Sequence, residues 1–133
     1  MTYHLQIVTP DGQCYDGQAV RMIVPTIHGQ VGILARHINY VTALGMGPAK
    51  LVTEDGERYA ACIGGMLAVT DGEVKVVATT FEWADEIDVE RAKASKERAE
   101  KMLADPGCDE QTKQYANARL KRAQVRLGIA GKK

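Results

Sequence analysis

The alternation of apolar and polar residues divides the chain into two regions. Up to about residue 80 the period is two, as in "HLQIVT" at 4–9 and "EVKVVAT" at 73–79, which is typical of half-buried β-strands. Asp-Gly pairs, which favour the turns of tight hairpins, follow several apolar runs. These pairs are Asp11-Gly12, Asp55-Gly56 and Asp71-Gly72. Short strands joined in this way, without helices between them, predict an antiparallel sandwich or barrel.

After Asp85 the period becomes that of a helix. Residues 88–104 are rich in strong helix formers. The turn sequence "DPGCD" at 105–109 ends this helix and offers Asp109 as the cap of a second. Helices joined by so short a loop run antiparallel. The pattern therefore predicts an α+β fold class, with an antiparallel β-sandwich or barrel over residues 1–84 and an antiparallel two-helix hairpin over 85–133.

The apolar stripe of each predicted helix is narrow and rich in alanine. Its members are Ala92, Ala99 and Leu103 on the first helix, and Ala116, Leu120, Ala123 and Leu127 on the second. At roughly 25 cal/mol per Å² of buried apolar area, such a stripe leaves the hairpin marginally stable by itself. The hairpin is therefore a candidate moving part. In the strand region, Gly64-Gly65 interrupts an apolar run and predicts a bulge or a close contact within the sheet.

Composition excludes several classes of protein. The 133 residues are 45% hydrophobic, which is enough for a core. Three cysteines without C-x-x-C spacing argue against a disulfide scaffold and a zinc site. The three histidines lie in separate segments, and no phosphate-binding loop or nucleophile motif is present. We therefore expect no metal site and no catalysis by this chain.

Charge is sorted along the chain although the formal net charge is zero. Residues 1–87 contain 5 Lys or Arg against 10 Asp or Glu, and residues 88–133 contain 12 against 7. This asymmetry predicts a basic C-terminal region with an anionic partner. No apolar run reaches the roughly 18 residues that a membrane span needs, and the N-terminus does not resemble a signal peptide. We expect a cytoplasmic protein, which could still dock on a membrane complex.

The first turn of the first helix is chemically unusual. Asp88 is placed to be the N-cap, and three residues later a capping box would have Glu or Gln, but Arg91 stands there. A guanidinium at the positive end of the helix dipole is unfavourable unless an anion is near. Arg91 and Arg98 share a helix face, and so do three arginines of the second helix, which the hairpin brings close to the first. These three are Arg119, Arg122 and Arg126.

Two interpretations of this arginine cluster stand side by side. In the first, the arginines form ordinary surface pairs with nearby glutamates and interact with helix ends, each contact being worth under about 1 kcal/mol. In the second, the cluster binds a polyphosphate, for which forked guanidiniums at a helix N-terminus are well suited.

Four stretches together resemble the epsilon subunit family of bacterial F-type ATP synthases. They are "LQIVTPDG" at 5–12, "VPTIHGQVGIL" at 24–34, "GGMLAVTDGEVKVVA" at 64–78 and "EIDVERAKASKERAE" at 86–100. The last contains the I/L-D-x-x-R-A segment that marks family members whose hairpin binds ATP. Here it is formed by Ile87, Asp88, Arg91 and Ala92.

The resemblance implies a central-stalk rotor subunit that is not itself an enzyme. Its sandwich, of about ten strands, would dock on the gamma subunit and on the membrane rotor ring of c subunits. Its hairpin would extend to meet the alpha and beta subunits and inhibit ATP hydrolysis, while bound ATP would favour the compact hairpin. The implied location is peripheral, on the cytoplasmic face of the bacterial plasma membrane. Magnesium involvement and the choice between proton and sodium coupling stay open.

The resemblance also implies the site residues. The ATP contacts carried over are Asp88, Arg91, Arg98, Arg122, Arg126 and Glu82, and the partner contacts are His37, Arg119 and Lys121. The stretch after the G-x-x-G at Gly29 and Gly32 departs from the family pattern L-P-G-H-x-P, because this chain reads "LARHIN" at 34–39 and lacks both prolines and the glycine. The geometry of that loop is therefore less fixed by its sequence.

Two other functions compete with this interpretation. A free-standing ATP sensor would bind nucleotide without assembling on gamma. A nucleic-acid-binding module would use the basic hairpin, but only Tyr115 among the aromatic residues lies among the basic ones, so base stacking is poorly provided for and we expect no nucleic-acid partner.

Overall fold

A computed structural model describes residues 1–36 and 38–130. The strands are β1 Tyr3–Thr9, β2 Gly12–Ala19, β3 Arg21–Thr26, β4 Gly29–Leu34, β5 Tyr40–Thr53, β6 Gly56–Thr70 and β7 Glu73–Trp83. A 3-10 turn at Ala84–Glu86 leads to helices α1 Val89–Ala104 and α2 Glu110–Ala130. The predicted sandwich followed by a helical hairpin is therefore confirmed.

The strands form one hydrogen-bonded sheet that folds over a single core, in the order β2-β1-β7-β6-β5-β3-β4. The neighbours pair antiparallel except β1 and β7, which are parallel and align Leu5 with Val74. The prediction of a wholly antiparallel sheet was wrong for this pair. The residue pattern of a strand does not indicate whether it runs parallel or antiparallel to a partner that is distant in sequence.

Seven strands stand in the described part of the chain, where about ten were expected. β5 and β6 are 14 and 15 residues long and pair along nearly their whole lengths. At Gly64 and Gly65 of β6 the φ angles are 70° and 122°, a conformation that glycine adopts without a steric penalty. A long strand that bends at glycine replaces two shorter ones, which lowers the count.

The alternating positions predicted to face inward do form the core. Leu5, Ile7, Val74 and Val76 are all buried. Position 65 of β6 requires glycine, because a Cβ there would lie 2.1 Å from the carbonyl oxygen of Val77 and would clash with it. The predicted close contact within the sheet is therefore confirmed.

Both helices begin at the predicted caps. The carboxylate of Asp88 accepts a hydrogen bond from the backbone N–H of Arg91 at 3.1 Å, and that of Asp109 accepts one from Thr112 at 2.7 Å. Hydrogen bonds from the side chain and the backbone of Thr112 lower the pKa of Asp109. In the hairpin the four predicted alanines are buried, whereas the three leucines are half-buried.

The hairpin attaches to the sandwich through a small apolar cluster near the end of α2. Ile129 is buried against Ile87 and against Ala61 of β6, with Val125 and Tyr59 packed at the edge. This cluster is separate from the main core. No helix in the described residues is long and apolar enough to span a bilayer.

Candidate functional site

A cleft of about 800 Å³ lies between the hairpin and the sandwich. One wall comes from the β1–β2 turn and the second half of β7, and the other comes from facing sides of α1 and α2. The side chains that line it are Thr9, Asp11, Thr79, Thr80, Phe81, Glu82, Glu86, Asp88, Arg91, Ala92, Ala94, Ser95, Arg98, Tyr115, Arg119, Arg122 and Arg126.

Five arginines line the helical wall of this cleft. Arg91 and Arg98 lie seven residues apart and so share one face of α1. Arg119, Arg122 and Arg126 share one face of α2 for the same reason. Since the helices run antiparallel, the two arginine faces meet across the hairpin, as the spacing predicted.

The five arginines differ in what holds them. The Nε of Arg126 donates to Oε1 of Glu82 at 2.6 Å, an ion pair in which both side chains are less than one third exposed. Within the described residues, the guanidiniums of Arg91, Arg98 and Arg122 make no hydrogen bond or ion pair. Three guanidiniums therefore line the cleft with no carboxylate of the described residues within ion-pair distance.

Arg119 is anchored in a third way. Its Nε donates to the hydroxyl of Ser95 on α1 at 2.9 Å, and its Nη1 donates to the phenol oxygen of Tyr115 at 3.3 Å. The sequence placed Arg119 with Lys121 as partner contacts, but the structure separates the two residues. Arg119 lines the cleft, whereas Lys121 is exposed and does not.

Four carboxylates also line the cleft, two of them on the sandwich. Asp11 and Glu82 come from the sandwich, Glu86 from the 3-10 turn, and Asp88 from the cap of α1. One carboxylate oxygen of Asp88 caps the helix by accepting a hydrogen bond from the backbone N–H of Arg91. Asp88 makes no hydrogen bond with the guanidinium of Arg91. Guanidiniums at a helix N-terminus with free donors are well suited to binding phosphate groups.

The structure brings together all six residues predicted to contact ATP, since each of them lines the cleft. His37, predicted to contact a partner, lies outside the described residues. Sequence reasoning missed Thr79, Thr80, Ser95 and Tyr115. Ser95 was within reach, because it lies four residues after Arg91 on the same helix face. The threonines become visible only when β7 is placed against the hairpin.

Both regions of the chain match known protein families. Residues 2–84 match the family described as "ATP synthase, Delta/Epsilon chain, beta-sandwich domain", and residues 85–131 match "ATP synthase, Delta/Epsilon chain, long alpha-helix domain". The chain belongs to the ATP synthase delta/epsilon family. The predicted membership of the epsilon subunit family is thereby confirmed, whereas ATP binding stays a prediction.

Bacterial relatives of this delta/epsilon chain align along nearly its whole length. The ATP synthase epsilon chain of Shouchella clausii is 38% identical over 129 residues, covering 97% of this chain and 95% of the relative. The epsilon chain of an Exiguobacterium species is 42% identical over 129 residues, with 96% and 95% covered. The similarity to these relatives along nearly the whole length identifies the protein as an epsilon-type chain.

Solved structures share the fold of this delta/epsilon chain. A chain of the mitochondrial ATP synthase of Euglena gracilis, in a structure of OSCP, F1 and the c-ring, superposes with a TM-score of 0.81 at 24% identity, covering 95% of this chain and 79% of that one. A chain from the central stalk and c-ring of the Tetrahymena thermophila enzyme gives a TM-score of 0.61 at 15% identity, covering 96% and 95%.

Proposed function

We propose that this chain is a non-catalytic rotor subunit in the central stalk of a bacterial F-type ATP synthase, where it couples rotation to ATP synthesis. In the proposed cycle its hairpin extends to inhibit ATP hydrolysis, and bound ATP stabilises the compact hairpin. The observation that carries the proposal is the cleft between the hairpin and the sandwich, where three arginines make no hydrogen bond or ion pair with a described residue. The phosphates of ATP would supply anionic partners for these guanidiniums.

A ligand in this cleft would act on the hairpin because both walls are needed to form the site. Such a ligand binds the compact state only, and stabilises it by about 2.7 kcal/mol at a hundred times its Kd. The attachment that it would reinforce is small, since it consists mainly of the Ile129 cluster and the Arg126–Glu82 ion pair. A stabilisation of that size would add to this small attachment and favour the compact state.

Extension would expose the same arginines to a competing anion. In the proposed extended state, basic residues of α2 meet acidic segments of the alpha and beta subunits. Arg119, Arg122 and Arg126 leave the cleft in that state, and the already exposed Lys121 joins them. ATP and the acidic partner surface therefore compete for one set of cations, and binding of either opposes binding of the other.

Docking on the gamma subunit would use an exposed apolar row on the outside of the sandwich. Met66 of β6 is aligned with Val77 of β7 and with Ala43 of β5, and Val41 lies two residues from Ala43 on the same face. Met66, Val77 and Val41 are 47%, 44% and 65% exposed, and exposed apolar patches mark interaction surfaces.

The c-subunit ring would contact the loop at 34–39, which contains His37. The subunit would thus sit peripherally on the cytoplasmic face of the plasma membrane.

Calorimetric titration of ATP, with ADP as a control ligand, into the wild-type chain and Arg91→Ala tests the nucleotide site. We expect binding that favours ATP in the wild type and is lost in Arg91→Ala, because this guanidinium has no other anion. Lys113→Ala, which removes an exposed positive charge of α2 outside the cleft, is the matched control and should bind as the wild type does. Absence of binding in the wild type would overturn the proposed role of ATP.

Co-purification with the gamma subunit tests assembly separately. We expect a stable complex, and charged substitutions at Met66 and Val77 should weaken it without affecting ATP binding. A chain that binds ATP but never associates with gamma would be the free-standing sensor instead.

A further inference from the structure

Arg119 is the cleft arginine whose guanidinium is tied at two points. It donates to Ser95 on the neighbouring helix and to Tyr115 one turn earlier on its own helix, at 2.9 Å and 3.3 Å. A guanidinium has five N–H donors in a fixed fork. Two donors are used here, so three remain for a ligand.

Both partners of Arg119 are neutral oxygens. They restrain the side chain without cancelling its charge, whereas the carboxylate of Glu82 lies on Arg126 and offsets that charge directly. Arg119 therefore keeps a full positive charge at the wall of the cleft, in a position set by the hairpin.

The other cleft arginines lack this restraint. Arg91, Arg98 and Arg122 have no side-chain partner in the described residues, so each must be ordered when an anion binds. Ordering a long side chain costs conformational entropy, which opposes binding. Arg119 is spared most of that cost, because its two hydrogen bonds order it before the ligand arrives.

We propose that Arg119 is a further contact for the bound polyphosphate, and that Ser95 and Tyr115 are the residues that position it. This inference rests on the proposed binding of ATP in the cleft. Since Ser95 belongs to α1 and Arg119 to α2, the restraint exists only while the two helices lie together. Arg119 thus makes phosphate binding sensitive to closure of the hairpin itself, in addition to its docking on the sandwich.

Titration of ATP and of inorganic tripolyphosphate tests the contact. We expect Arg119→Ala to weaken binding of both ligands by about tenfold or more, because a charge-assisted hydrogen bond to phosphate is lost. Arg119→Lys should recover only part of the loss, since Lys has no fork. Lys113→Ala removes a positive charge from the same helix outside the cleft and should leave both affinities unchanged.

The two ligands and the control distinguish failure of this inference from failure of the proposed function. If the wild type binds neither ATP nor tripolyphosphate, the anion site itself is wrong and Arg119 falls with it. If the wild type binds but Arg119→Ala matches Lys113→Ala, only the role of Arg119 is overturned.

The positioning role is tested by combining substitutions. We expect Ser95→Ala and Tyr115→Phe each to weaken ATP binding several-fold in the wild-type background and to have no effect when Arg119 is already alanine. Equal effects in both backgrounds would mean that these residues act through general helix packing, and would overturn the positioning role. Amide hydrogen exchange of α1 and α2 without ligand provides the measure of hairpin integrity for each variant.

Discussion

Arg91 takes part both in the N-terminal cap of α1, through its backbone, and in the wall of the cleft, through its side chain. Its backbone amide donates to Asp88 and completes the cap of α1, whereas its side chain is exposed at the wall of the cleft. A glutamate here would complete a capping box and give a stronger local start to the helix. The chain instead carries a cation at this point, which favours a ligand at some loss of local stability.

His4 gives a prediction about pH. Its Nε2 lies 2.5 Å from a carboxylate oxygen of Asp16 on β2, and Glu73 of β7 lies 3.9 Å from its Nδ1. The hydrogen bond to Asp16 raises the pKa of His4. A raised folded-state pKa stabilises the fold fully below the unfolded pKa of about 6.5, and this contribution is lost as pH rises through the folded pKa.

NMR titration of the His4 ring measures this pKa. We expect a midpoint above about 6.5 in the wild type and a lower midpoint in Asp16→Asn, which removes the charged acceptor. Urea unfolding should show a smaller stability difference between acidic and alkaline pH in the variant. A wild-type midpoint at or below that of Asp16→Asn would contradict the prediction.

Among the elements, the turns show how far local sequence reaches. Asp71-Gly72 forms the expected two-residue turn with both φ angles positive, at 51° and 84°. The other hairpins repeat a T-x-x-G pattern in which the threonine hydroxyl accepts from the amide two residues on and donates to the glycine carbonyl. The pattern occurs at 9–12, 26–29 and 53–56. Reading Asp-Gly alone located two of these three turns and missed the one at 26–29, where the threonine and glycine carry the signal without an aspartate.

The helical hairpin and its arginines were predictable because helix periodicity fixes which side chains share a face. Asp88, Arg91 and Arg98 could be placed together from spacing alone. Glu82 and Thr79 could not, since they lie on β7, and only the tertiary packing of α2 on the sheet brings that strand to the cleft. The Ser95–Arg119 hydrogen bond was also hidden, because it depends on the rotation of one helix against the other.

Gly65→Ala is expected to destabilise the sheet by at least about 2 kcal/mol. A methyl group there would lie 2.1 Å from the Val77 oxygen, and the φ angle of 122° is unsuitable for alanine. Gly32→Ala is the control, since a Cβ added at Gly32 would lie no closer than 4.0 Å to a neighbouring atom, which is on the side chain of Ile23 in β3. Urea unfolding followed by Trp83 fluorescence compares them, and equal midpoints for the two variants would show that the sheet can relax around the extra methyl group.

For the whole molecule, the attachment of the hairpin rests on few contacts. Ile129 is 3% exposed and lies at the centre of the small apolar cluster. Ile129→Ala should weaken docking by about 2 kcal/mol or more, because a large buried side chain is lost from a site that packs two units together. Amide exchange should then accelerate in α2 and stay unchanged in the core strands.

Under the proposed function, in which ATP binds only the docked hairpin, saturating ATP should restore part of the lost protection. Val89→Ala removes an exposed apolar side chain from α1 and serves as the control. If exchange in the sheet accelerated together with that in α2, the hairpin and the sandwich would unfold as one unit, and independent release of the hairpin would be excluded.

The parallel pairing of β1 with β7 has a consequence for how the chain comes to be folded. Residue 5 is aligned with residue 74, so one side of β1 stays unpaired until most of the sandwich has been synthesised. Contacts so distant in sequence form late and slowly. The nascent chain therefore leaves the ribosome with an open strand edge and the apolar side chains of β1 unburied, a state prone to aggregation. The contacts between α1 and α2 are local in sequence, so the helices can meet soon after they are synthesised, and docking on the sandwich through Ile129 then stabilises the hairpin.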